Sequence, residues 1–93
     1  MKFTMGEVGV LIAALNLKSD GTARMFQAIQ LPDIASIVGK LKKLVNKDGL
    51  IPPGDHEIEL GTDEKKLIKD CLEERDWSSG DAEAVITVTE KLK

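Results

Sequence analysis

Ninety-three residues, 42% hydrophobic and 31% charged, make one folding unit near the size at which burial becomes marginal, and they exclude a disordered chain. A single cysteine excludes an internal disulfide and suits a reducing compartment. The net charge of −3 is unevenly divided: residues 1–47 carry seven basic and three acidic side chains, a net of +4, and residues 48–93 carry six basic and thirteen acidic, a net of −7. Such a division can orient partners, or copies of the chain, head to tail.

The opening MKFTMGEVGVLIAALNL holds an acidic residue and two glycines where a signal peptide would be greasier. Its apolar part is too short to span a bilayer, so a soluble cytoplasmic protein with no membrane contact is expected. Thr4-Met5-Gly6-Glu7 fits a capping box, and behind it Val8, Leu11, Ile12 and Leu15 form a helical apolar stripe. The adjoining side is small: Gly6, Gly9, Ala13 and Ala14. Each internal glycine costs about 1 kcal/mol of helix propensity relative to alanine, so close packing against the glycines is expected to offset it. Such a helix is either central to the monomer or part of a subunit interface, which makes Gly6, Gly9 and Ala13 candidate partner contacts.

Lys18-Ser19-Asp20-Gly21 reads as a turn, and Thr22 can cap a short helix over 23–29. The rival is a β-hairpin turning at Asp20-Gly21, disfavoured by alanine-rich flanks with few β-branched residues. Leu31-Pro32-Asp33 stops that segment, and Asp33 caps a helix over 33–49 closed by a glycine signal at Gly49. Ile34, Ile37, Val38, Leu41, Leu44 and Val45 form its apolar face, with Lys40, Lys42, Lys43 and Lys47 opposite. The other segments are expected to be organised around this helix. Lys40, Lys43 and Lys47 share one face and are candidate partner contacts; a phosphate-binding face is the alternative. The segment lacks arginine or glutamine to read base edges, and the whole chain is acidic, so nucleic acid is the weaker expectation.

Leu50-Ile51-Pro52-Pro53-Gly54-Asp55 must be extended loop. His56-Glu57-Ile58-Glu59-Leu60 alternates like a short strand or a docked linker. Gly61-Thr62-Asp63 opens a helix burying Leu67, Ile68, Cys71 and Leu72. In the turn over 76–81, Trp77 either folds back over the helix ends or stands out as a partner anchor. The last segment, 82–92, contains the β-branched run Val85-Ile86-Thr87-Val88-Thr89, which favours strand. Its DAEA start and the spacing of Val85, Val88 and Leu92 favour helix, and helix is the expectation. A weak echo at shifts of 57 and 48 residues suggests two αα-hairpins joined by the Pro-Pro loop.

Catalytic groups are scarce. His56 is the only histidine; Asp55, Glu57 and Glu59 would share one edge of an extended segment, which reads as a solvated acidic edge rather than a cation site. Asn46, Asp48, Gly49 and Ile51 match part of a calcium loop, but Leu44 stands at its first ligand position and Asp55 at its last. Cys71 lies on an apolar stripe, where an inert thiol is expected. No metal, cofactor or enzymatic activity is expected. The fold expected is all-α, a four-to-five-helix bundle over 1–93 as one domain; the alternative is α+β with short strands near 56–60 and 84–89. The function expected is a small non-enzymatic protein–protein interaction module, such as an adaptor, assembly subunit or inhibitor. It would use an apolar helix face and charge complementarity toward a protein partner or a second copy. The alternative is a nucleic-acid-binding regulator using the lysine face.

Overall fold

Thr4 ends one element and starts the next. Its hydroxyl accepts from the Glu7 N–H at 3.3 Å while the Glu7 carboxylate accepts from the Thr4 N–H at 2.8 Å, the capping box read from the spacing. In the computed structural model, which describes residues 1–17, 20 and 22–93, the elements run β1 (Lys2–Thr4), α1 (Met5–Asn16), α2 (Leu31–Lys42), β2 (Asp55–Glu57), α3 (Thr62–Glu73) and α4 (Ala82–Lys91), with single 3-10 turns at Ala28–Gln30 and Ser79–Asp81. The chain is therefore mostly helical with a small antiparallel sheet, in which Phe3 stands opposite His56. Of the alternating segment 56–60 only His56 and Glu57 are in a strand, which begins one residue earlier at Asp55.

Helix α1, rather than the lysine-rich helix, is the central element. It packs against α4 most extensively, then α3, then α2. The main partner of the first helix is thus the last helix, not its neighbour in sequence. Phe3, Val8, Leu11, Ile37, Ile68 and Val88 are the largest fully buried side chains of the core.

Three segments depart from the sequence reading. Residues 23–29 form no α-helix. Leu17 pairs with Ala23 in an isolated antiparallel bridge, and the Arg24 N–H donates to the Asn16 carbonyl at 2.9 Å. The chain therefore doubles back as the rival hairpin would. Part of the expected turn, Lys18, Ser19 and Gly21, lies outside the described residues. Helix α2 begins at Leu31, so Asp33 sits in its first turn instead of capping it. It also stops at Lys42, well before Gly49. The Asn46 side-chain oxygen accepts from the Asp48 and Leu50 N–H groups at 2.9 and 3.1 Å, offering the backbone a turn in place of another helical turn. Gly49 does take the left-handed conformation, φ 78°, but inside that turn.

The β-branched run of 85–89 is helical, in α4. Thr87 and Thr89 donate their hydroxyls to the Glu83 and Val85 carbonyls at 2.9 and 2.8 Å, which lets both residues sit in a helix with their hydroxyls satisfied. The expectation of a neighbour close against the α1 glycines is not met within the chain. Gly6 and Gly9 are exposed, and a Cβ built on either meets no atom within 4 Å. Gly6→Ala and Gly9→Ala should each raise stability by about 0.5–1 kcal/mol, measured by urea denaturation of dilute protein. A loss of stability would show an unseen steric limit at that face.

Candidate partner-binding surface

The open side of α1 continues into a groove shared with α2. Met5, Gly9, Ile12 and Asn16 follow one another at i, i+4, i+7 and i+11 along α1. Beside the second half of this row lies a cavity of about 320 Å3. Buried Leu15 and Leu41 form its floor and half-buried Ile12, Val38 and Val45 its walls, while exposed Lys42 and Asn16 make it polar at the rim. The apolar stripe of α2 and of the turn after it is wider than one covering helix can bury: Ile37 and Leu41 are sealed, but Ile34 and Val38 in the helix and Leu44 and Val45 just beyond it remain half-exposed.

The four α2-region lysines have different surroundings. Lys40 is taken up internally: its ammonium donates to the Glu59 carbonyl at 2.7 Å and to both Glu64 carboxylate oxygens at 2.9 and 3.1 Å. Glu64 in turn accepts from the Gly61 N–H at 2.9 Å, so one carboxylate caps α3 and clamps it to α2. Burial works to raise the Glu64 carboxyl, but the Gly61 N–H and the Lys40 and Ser36 side chains outweigh it and hold the group below its ordinary value. Lys42, Lys43 and Lys47 are exposed, and among the described residues none of them forms an ion pair. Of the lysine face read from the sequence, Lys43 and Lys47 point to water and Lys40 does not. Lys42, on the groove itself, carried no sequence signal that set it apart from the others.

Trp77 folds back. Its indole N–H donates to the Leu72 carbonyl at 3.1 Å, satisfying one of the open carbonyls at the end of α3, and the Arg75 guanidinium lies 4.5 Å from the ring centroid. Ala13 is half-buried, and its carbonyl accepts from Arg75 at 3.0 Å. Arg24, whose side chain is 5% exposed, donates to the Ala14 and Cys71 carbonyls at 2.8 and 3.2 Å and pairs with Glu74 at 2.9 Å. Helix α1 has no basic residue in its own last turn; Arg24 and Arg75 bring that charge from elsewhere and tie it to the end of α3. Sequence reading passed over both arginines, because contacts spanning up to 62 residues leave no local pattern.

The groups that might carry chemistry are occupied or dispersed. The His56 Nε2–H donates to the Pro52 carbonyl at 2.7 Å, pinning the Pro-Pro loop. Burial pushes the Cys71 thiol up, partly offset by Arg24, so the reactive thiolate is disfavoured. Among the described residues, no three of the His, Cys, Asp and Glu side chains converge as metal ligands, and no helix is long and apolar enough to cross a membrane. Compared with known proteins, the chain matches no family model, no curated protein and no solved structure.

Proposed function

We propose that this chain is a small non-enzymatic interaction module, acting in the cytoplasm, that receives an acidic amphipathic helix of a protein partner in the α1/α2 groove. The observation that carries this reading is an open apolar groove, walled by Ile12, Val38 and Val45, with exposed Lys42 at its rim, a lysine that forms no ion pair among the described residues. Apolar burial in the groove supplies the affinity, Lys42 selects for a carboxylate beside the apolar residues, and exposed Lys43 and Lys47 add positive charge that speeds encounter. Gly9 extends the open row of α1 without a side chain in the way, so an approaching helix can lie close to its backbone. Trp77 and Lys40 have structural work and no part in this contact. With Lys40 withdrawn, the three-lysine face suited to phosphates loses a member, which favours protein over nucleic acid.

Two synthetic peptides with the same helical leucine spacing, one flanked by glutamates and one by lysines, test this by fluorescence anisotropy. The acidic peptide should bind, its affinity should fall as salt is raised, and Lys42→Glu should weaken it about tenfold, roughly 1.4 kcal/mol. Equal binding of both peptides, or of neither, would overturn the reading.

A further inference from the structure

We infer that the groove of one copy receives helix α4 of a second copy, so that the chain associates with itself head to tail. The inference rests on the interaction reading above and names the partner. Among the described residues, Ile86 is the one large apolar side chain that stands more than half exposed, at 63%, inside an α-helix; the other exposed ones lie at helix ends, in the 3-10 turn at Ala28–Gln30 or in loops. It sits between exposed Glu83 and Glu90, three residues before it and four after, so all three project from one face of α4. This is an acidic-flanked apolar knob, the chemical complement of an apolar groove with Lys42 at its rim.

The charges on both sides are available. The Glu83 carboxylate has no hydrogen-bond or ion-pair partner among the described residues. Glu90 pairs only with Lys93, at 3.1 Å, with both side chains about two-thirds exposed, a contact that is easily exchanged. Knob and groove have no residue in common, so one copy can use both at once and the contact is heterologous. The opposite net charges of the two halves of the sequence favour the same polarity of approach. One helix face buries less than the roughly 800 Å2 per partner of a standard stable interface. The association is therefore weak, dependent on concentration and sensitive to salt.

Sedimentation velocity of the full chain at low and high salt, with Lys42→Glu and Ile86→Lys, tests the assignment; both positions are exposed, and circular dichroism checks that the variants fold. The unaltered chain should grow in weight-average mass with concentration at low salt and not at high salt. Each variant alone should lose about tenfold or more in self-association. An equimolar mixture should recover a one-to-one dimer, because the intact knob of the Lys42→Glu copy meets the intact groove of the Ile86→Lys copy. Self-association in either variant equal to that of the unaltered chain, or a mixture that stays monomeric, would overturn the inference. A monomeric unaltered chain that still binds the acidic peptide would remove the second copy as occupant and leave the interaction reading standing. A chain that does neither would remove both.

Discussion

Phe3→Ala should lower the free energy of unfolding by about 3–5 kcal/mol, the range for deleting a fully buried aromatic ring. Phe3 is 0% exposed on a strand of only three residues. Lys2 and Thr4 face water, so this one side chain fixes β1 to the core while its backbone pairs with His56. The Lys91 ammonium lies 5.3 Å from the ring centroid and would lose that contact as well. Small domains hold only about 5–15 kcal/mol in total, so the variant should be largely unfolded at physiological temperature. Urea denaturation followed by circular dichroism reads the loss; a midpoint within error of the unaltered chain would show that β1 is not part of the cooperative fold.

The second large effect belongs to the Glu7–Lys91 pair. Glu7 is 3% exposed, and its Oε1 accepts from the Lys91 ammonium at 2.7 Å. Its other oxygen is buried with no hydrogen-bond partner among the described residues. Burial pushes the carboxyl up, but hydrogen bonds from Lys91 and Thr4, with the nearby ammonium charge, outweigh it and hold the group below the ordinary value of 4.5. A carboxyl held lower in the folded than in the unfolded chain adds stability that is complete above the unfolded value and lost as pH falls through the folded one. Lys91→Met keeps most of the apolar stem and removes the charge, leaving a buried carboxylate uncompensated. The Lys91 side chain is one-third exposed, so the cost should fall somewhat below that of a fully buried pair, about 2–3 kcal/mol at neutral pH. With the ammonium gone, only the Thr4 hydrogen bonds oppose burial, so the Glu7 carboxyl moves up from where the unaltered chain holds it. The difference between variant and unaltered chain should shrink on acidification toward pH 4, because the neutral acid is the form the variant tolerates. A difference that stays constant with pH would show that Lys91 acts through packing alone.

Local signals proved legible and long-range ones did not. Thr4 and Glu7 declare the start of α1 because both halves of the capping box lie within four residues. The last segment is a helix despite its β-branched run, since its apolar spacing and the hydroxyls of Thr87 and Thr89 agree on that form. The end of α2 was misread at Gly49 because the decisive competitor is the side chain of Asn46, whose turn looks like a helix terminus in sequence. Residues 23–29 carry helix-forming composition, but Arg24 is drawn across to Ala14, Cys71 and Glu74, and its backbone bonds to Asn16. Phe3 gave no strand signal, as its partner strand begins more than fifty residues later. At the candidate surface, the small residues Gly6 and Gly9 were legible as a face without side chains. That the chain leaves this face open depends on where α4 and α3 dock, which residue type alone does not encode. The lysines were visible as a group; only the fold separates Lys40, engaged by Glu64, from Lys42 at the groove.

Methyl-resolved NMR of the chain, titrated with the glutamate-flanked leucine peptide, locates the binding surface most directly. Binding at the groove moves the methyl signals of Ile12, Leu15, Val38 and Val45 together and leaves those of Ile68 and Val88, in the sealed core, in place. Groove signals that stay fixed while those of exposed Met25 and Ile29 respond, or a spectrum that does not change at all, would contradict the groove as the place where this chain meets its partner.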